Sequence, residues 1–258
     1  FEYAVTGAAS DHLLYPNFRV FLVTTDSTVA SATGSASSKV FALQVTGYYG
    51  TAGTPPNPVG TTSGIVSFRW LDRAGGSTRT ATVDARAGWI YFDLDAGAVS
   101  SEGGNWHIAF NRYNVKLNGG EAGSGKVAGF VGKTPAGFYD GDNKPVAAKF
   151  TEADILATTS AELSAGDIQG PANANAWRKD STASALSPAY TGSYPNALDY
   201  GWYTYYPSDA LAQAAGLAGA HMLKSHADRG ALVRTGEGTG YARIQLGSIA
   251  YAAPASGQ

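Results

Sequence analysis

Apolar and polar positions alternate over residues 39 to 50, KVFALQVTGYYG, with Phe41, Leu43 and Val45 on one side and Ala42 and Gln44 on the other. That period predicts a half-buried β-strand. Residues 64 to 70 (GIVSFRW) and 88 to 94 (GWIYFDL) are strand-like as well. Between them, GTAGTPPNPVGTTSG at 50 to 64 and RAGGS at 73 to 77 supply the Pro and Gly that turns require. One stretch reads as a helix, SDALAQAAGLAG at 208 to 219, opened by Ser208 and weakened by Gly216. The pattern is predominantly β.

The same pattern recurs. DHLLYPNFRVFLVTT (11 to 25) followed by VFALQVTGYYG resembles AHMLKSHADRGALVRT (220 to 235) followed by YARIQLGSIAYA (241 to 252). The alignment pairs His12 with His221, Leu14 with Leu223, Leu43 with Ile244, Gln44 with Gln245 and Val45 with Leu246, and Phe1-Glu2-Tyr3 echoes Trp202-Tyr203-Thr204. Two copies of this length predict duplicated β units around one core, since a solenoid needs more repeats. The first copy runs on through Ser63-Gly64 into IVSFRW, whereas the second stops at Ser256-Gly257-Gln258. Either the terminus is trimmed short there, or the missing strand leaves a sheet edge that a second chain fills by strand addition.

The expected architecture is all-β: one domain over 1–258, made of a repeat-like unit at 1–71, a central unit at 82–148, a loop-rich segment at 149–200 and a second repeat-like unit at 201–258. Composition agrees, with 33 Gly, 15 Tyr, 10 Phe and 5 Trp against 15% charged residues. Basic and acidic side chains nearly balance at 18 and 20, without a like-charge run, so a nucleic-acid partner is not expected. Cysteine is absent, which excludes disulfides and thiolate chemistry within these residues. A chain opening on Phe1 reads as a mature exported protein whose upstream segment carries a signal peptide or a lipid-modified cysteine.

Residues 105 to 130, NWHIAFNRYNVKLNGGEAGSGKVAGF, place Gly120, Gly125 and Lys126 at phosphate-loop spacing. Such a loop needs Ser or Thr after the lysine and must open a helix. Val127 follows Lys126 here, and Gly129, Gly132, Pro135 and Gly137 exclude a helix, so the stretch reads as a glycine-rich β connection. No Gly-x-Ser-x-Gly or His-Glu-x-x-His occurs, and an enzyme is not expected. YDGDNKP (139 to 145) has the acidic side chains of a calcium loop but lacks the later glutamate, and reads first as a tight turn.

The central stretch resembles the HmuY-like haem-binding proteins. The resemblance is carried by Trp89-Ile90-Tyr91-Phe92, by Trp106-His107-Ile108-Ala109-Phe110-Asn111-Arg112, and by Asn118-Gly119-Gly120 with Gly123 and Gly125. It extends to KVFALQVTGYYG, SGIVSFRW and LVRTGEGTGYARIQL, and the family more usually has an aspartate where this chain has His107. It implies a fork of antiparallel sheets in an exported protein, often lipid-anchored at the outer-membrane surface, which captures haem and cooperates with a TonB-dependent receptor. Similar proteins hold iron between two axial side chains, His or Met, on loops after the Trp-Ile-Ala-Phe-like segment. This chain departs there, because residues 134 to 200 contain no His, Met or Cys, leaving Tyr139, Tyr190, Tyr194 and Tyr200.

Haem ligands are therefore expected elsewhere. The duplication offers His12 and His221 as two imidazoles for one metal, with Met222 or His226 as substitutes, and Tyr194 beside Pro195 as an exposed stacking residue. The bland alternative is that each histidine hydrogen-bonds its own turn. His107 lies next to Trp106 on a strand that carries Ile108 and Phe110, and reads as a satisfied histidine in or near the core. Arg112 reads as a structural partner of a carboxylate or a turn carbonyl. The competing functional class is a surface structural or adhesive β module that self-assembles through an open sheet edge and has lost haem binding.

Overall fold

In the computed structural model, which describes residues 1–8, 12–50, 62–180, 190–234 and 240–251, the chain divides into two units, Phe1–Asp180 and Ser181–Gln258. The sequence reading draws a single domain with four segments. The turn cluster expected at 51–61 and the chain end at 256–258 lie outside the described residues.

The first unit opens with a short hairpin, β1 (Glu2–Tyr3) against β2 (Leu14–Tyr15). It continues through β3 (Val20–Thr24), β4 (Val40–Tyr49), β5 (Ser63–Asp72), β6 (Arg79–Asp84), β7 (Ile90–Asp93), β8 (Ala98–Ser100), β9 (Ile108–Asn111), β10 (Asn114–Leu117) and β11 (Ala128–Lys133). These form two antiparallel sheets, in the orders β11-β3-β4-β5-β6 and β10-β9-β7-β8. The expected all-β class of antiparallel sheets is what the chain adopts.

The two sheets share one aromatic core. Phe68 and Trp70 of β5 meet Phe92 of β7 at ring distances of 5.0 and 5.3 Å, both edge-on, and Phe68 meets Phe110 of β9 at 5.1 Å. The Trp70 indole is satisfied by Leu94 O at 2.8 Å. The alternation in β4 predicts one buried face, yet nearly all of this strand is buried. Phe41 and Leu43 enter the core between the sheets, while Val40 and Ala42 pack against Leu163, Ile168 and Trp177. The chain after β11 covers that second face through the 3-10 turn Ser160–Ser164, which supplies Leu163, and through Ile168 and Trp177, while α1 (Ala147–Phe150) and α2 (Ile155–Thr158) place Phe150 and Ile155 against Val5, Tyr15 and Phe18; the loop-rich reading of 149–200 did not contain these elements. Gln44 is tolerated inside because its amide donates to Phe18 O at 2.7 Å and accepts from Arg69 Nε at 2.8 Å.

The glycine stretch serves close backbone approach. A Cβ at Gly119 would lie 2.1 Å from Val127 O, and one at Gly120, with φ +68°, 2.0 Å from Asp180 O. No helix follows, since β11 begins at Ala128. YDGDNKP is a turn, with Asp140 Oδ1 accepting from the backbone N–H groups of Asp142 and Lys144 at 2.9 Å each.

The second unit contains β12 (Leu198–Asp199), β13 (Tyr203–Tyr206) and β14 (Met222–Ser225) in one sheet, and β15 (Gly230–Arg234) with β16 (Tyr241–Gln245) in a separate hairpin. The foreseen helix is α3 (Asp209–Ala214), capped by Ser208, whose Oγ accepts from Leu211 N. Gly216, at φ +80°, lies just past its end.

Candidate functional site

The histidines paired by the repeat sit in matching local frames. In the first unit Tyr3 opposes Leu14, and the Tyr3 hydroxyl bonds His12 Nδ1 at 2.5 Å. In the second, Tyr205 opposes Leu223, and the Tyr205 hydroxyl bonds His221 Nδ1 at 2.6 Å. The ring pairs have centroids 6.1 and 6.0 Å apart at 39° and 34°. A further tyrosine closes each hairpin: the Tyr49 hydroxyl accepts from Leu14 N at 2.9 Å, and the Tyr251 hydroxyl accepts from Leu223 N. The equivalent of Tyr3 is thus Tyr205. This corrects the echo of Tyr3 in Thr204 by one residue, a slip that exchanges the faces of a strand.

Around His12 the first unit forms a cleft of about 580 Å³ lined by Phe1, Tyr3, His12, Tyr48, Tyr49, Arg112 and Tyr113, with Leu14 and Ser63. Tyr48 and Tyr49 are consecutive, and a regular strand would send them to opposite faces. The pairing of β4 with β5 shifts register between Val45 and Gly47 and again between Gly47 and Tyr49. Those bulges let both tyrosines line the cleft, their rings 5.1 Å apart and edge-on. Burial raises the pKa of the Tyr48 phenol, with the neighbouring Arg112 acting in the opposite direction.

Arg112 and Tyr113 form the two-residue turn between β9 and β10, whose flanking pair is Asn111 and Asn114. Arg112 takes φ 53°, a conformation that glycine adopts more readily. Its guanidinium bonds Ser63 Oγ at 3.2 Å and has no carboxylate partner among the described residues. The expectation that it pairs a carboxylate or a turn carbonyl is corrected: among the described residues its partners are the hydroxyls of Ser63 and Tyr48. Sequence reasoning missed Arg112, Tyr48 and Tyr113 as site residues. The one legible signal is Asn111-Arg112-Tyr113-Asn114, a hairpin turn lacking the glycine its geometry favours.

Against the first cleft lies an apolar slot of about 310 Å³ that also uses Phe1 and Tyr113. Its walls include Val23 and Leu43 of the five-stranded sheet and Ile108, Val115 and Leu117 of the four-stranded sheet. Asp180 is the charged side chain lining it. Burial raises the pKa of the Asp180 carboxyl, while the Leu117 N–H that it accepts lowers it.

His221, Met222, His226 and Tyr194 belong to the second unit. His226 Nε2 bonds Thr204 Oγ1 at 2.8 Å and lies 3.6 Å from Asp199, which Arg229 also contacts. Met222 is half-buried opposite Tyr206. Tyr194 is 71% exposed and precedes a cis proline. Of the remaining tyrosines, Tyr139 donates to Glu2 at 2.8 Å and accepts from Asn17, and Tyr200 stacks on Tyr203 with ring centroids 4.9 Å apart. His107 is a satisfied interior histidine: Nδ1 accepts from Leu94 N at 3.1 Å, its ring lies edge-on to Phe41, and burial lowers its pKa against the pull of Asp93.

The donor set at the first cleft fits a haem held through one imidazole. Tyr3 bonds His12 Nδ1, so that Nε2 would be the nitrogen free to ligate, the aromatic walls suit a planar ring, and Arg112 suits a carboxylate. A second histidine or a methionine is not among the lining residues.

A family model described as HmuY protein matches residues 85–257. No curated protein and no solved structure matches the chain.

Proposed function

The chain belongs to the HmuY family, and from that premise we propose that it captures haem, or a similar planar ligand, in the His12 cleft and passes it to a TonB-dependent outer-membrane receptor. The family is a binding-protein family associated with haem and iron acquisition, and its members are exported. Among the described residues, no helix is long and apolar enough to cross a membrane.

The observation that supports the cleft is the Tyr3–His12 contact inside an aromatic recess that also holds Arg112. A ligating imidazole needs its second nitrogen anchored, and a hydroxyl on Nδ1 orients the ring and selects the tautomer. When bound, haem supplies an iron for His12 Nε2 and a Soret band that reports the ligand. Tyr48, Tyr49 and Tyr113 offer ring faces and exclude water, and Arg112 offers a cation for an acidic substituent. His221, with the same tyrosine contact, is the alternative ligand in the second unit.

Haemin titration of the whole chain, followed by absorption and repeated with His12→Ala, His221→Ala and Tyr194→Ala, tests this reading. The expected result is a saturable, sharpened Soret band that His12→Ala abolishes. Loss with His221→Ala alone would move the site to the second unit. A band no different from that given by an inert control protein would sink haem capture.

A second reading has one observation in its favour. Among the described residues β16 pairs with β15 only, every β16 residue is exposed, and Leu232 and Tyr241 are 74% and 70% exposed. Leu43, the sequence counterpart of Ile244 in β16, is buried by comparison. We propose this hairpin as the edge through which two copies would associate by strand addition. Sedimentation of the wild type against Leu232→Lys tests it: a dimer that the substitution dissociates supports the edge, and a monomer at high concentration removes it.

A further inference from the structure

We infer that the slot between the two sheets binds the alkyl chain of a free single-chain amphiphile, at a site separate from the His12 cleft and independent of haem capture. The head group of such a ligand stays in water beside Tyr113 and Val115, the exposed residues of the lining.

Residue size makes the slot. In the closed part of the core, Phe68, Trp70, Phe92 and Phe110 fill the space between the sheets with rings 5.0 to 5.4 Å apart. Here the walls are the smaller Val23, Leu43 and Val45 of one sheet and Ile108, Val115 and Leu117 of the other, and about 310 Å³ lies between them. Gly129 of β11 opposes Val23 and lines the slot without a side chain; a Cβ there would come within 3.1 Å of Leu117 Cδ1. At interior packing density this space takes about ten methylenes.

Strand geometry sets its shape. Phe21 and Val23 of β3, Leu43 and Val45 of β4, and Val115 and Leu117 of β10 are pairs two positions apart, so the slot runs along the strands for about 7 Å between members of a pair. Facing sheets lie about 10 Å apart and side chains reach in from both, which suits one hydrocarbon chain better than a fused ring. The polar side chains at the slot are already engaged. Asp180 accepts from Leu117 N, while Asn17 donates to the Tyr139 hydroxyl at 3.1 Å and accepts from Arg19 N at 3.4 Å. The Asp180 carboxyl and the α-amino group of Phe1, two residues of the lining, carry opposite charges, so neither sign of ligand charge is favoured. Selection falls to hydrocarbon burial, about fourfold in affinity for each methylene.

Calorimetric titration of the whole chain with n-alkyl maltosides of increasing chain length, each below its micelle concentration, tests this with an uncharged head group held constant. Saturable one-to-one binding is expected, about fourfold tighter per methylene up to about ten carbons and level beyond, because further methylenes stay in water. Gly129→Ala is expected to bring the levelling to shorter chains. Val115→Asp, at an exposed strand position, is expected to weaken every member of the series by about tenfold or more. Unfolding midpoints of both variants verify that they fold. No saturable binding, an affinity that keeps climbing past the capacity of the slot, or an affinity that both variants leave unchanged would overturn the inference. Flotation with phosphatidylcholine vesicles that Val115→Asp abolishes would assign the slot to a bilayer lipid and overturn the free ligand. The titration contains no haemin, so it and the Soret test succeed or fail separately.

Discussion

Tyr3 holds His12 through a 2.5 Å hydrogen bond to Nδ1 across the first hairpin, and Tyr205 repeats the contact on His221. If His12 ligates iron, Tyr3 is a positioning residue that keeps the imidazole oriented. Tyr3→Phe removes only the hydroxyl, and haemin affinity is expected to fall by about 10- to 100-fold, the range for partners behind a ligating histidine. Soret titration measures the fall. An unchanged affinity alongside a large loss in His12→Ala would show that the hydroxyl serves the hairpin alone.

Arg112→Gly separates stability from binding. The φ of 53° costs a non-glycine residue about 1 kcal/mol, which glycine avoids. The denaturant midpoint is expected to rise or hold while haemin affinity drops. A variant that loses stability would show that the guanidinium's bond to Ser63 outweighs the backbone cost.

Gln44→Leu tests the interior polar network. Arg69 is 6% exposed, and its Nε depends on Gln44 Oε1 while its other nitrogens reach Leu156 O and Thr159 Oγ1. Leaving a charged donor unpaired is expected to cost about 2 to 3 kcal/mol in urea unfolding. Replacing both residues, Gln44→Leu with Arg69→Met, is expected to cost less than the sum of the single changes, because the shared contact is counted in each.

His107 sets a pH dependence. Burial holds its folded-state pKa below the ordinary value of 6.5, with Asp93, Asp95 and Lys39 as the charged groups facing it. Below about 6.5 the unfolded chain takes up a proton that the folded chain resists, so stability is expected to decrease as pH falls through that window. The decrease ends once pH drops below the folded value. Unfolding midpoints at pH 7.5 and 5.5 should differ less in His107→Gln than in the wild type.

Gly120→Ala combines a positive φ of 68° with a Cβ only 2.0 Å from Asp180 O. The backbone must move, and a loss of about 2 kcal/mol or more is expected. A neutral result by thermal unfolding would mean that the loop relaxes without disturbing Asp180.

The β class, the strands β4, β5 and β7, the capped helix at Ser208 and the repeat of His12 and Leu14 in His221 and Leu223 were legible because each depends on local periodicity and on residue types in order. The double-sided burial of β4 was not, since its second face is covered by Leu163 and Trp177, more than a hundred residues away in the chain. Arg112 was misread for a similar reason: nothing in Asn-Arg-Tyr-Asn tells whether a carboxylate will arrive opposite the guanidinium.

By itself the sequence determined the antiparallel β character, the family, the duplicated pairing of His12 and Leu14 with His221 and Leu223, and the absence of thiol chemistry within these residues, because hydrophobic period, glycine placement and residue inventory act over a few neighbouring positions. Only the tertiary structure decided which side chains share a recess. Phe1, His12, Tyr48 and Arg112 come together through sheet pairing and through bulges that turn two consecutive tyrosines toward one cleft, and long-range register of that kind leaves no local mark in a sequence.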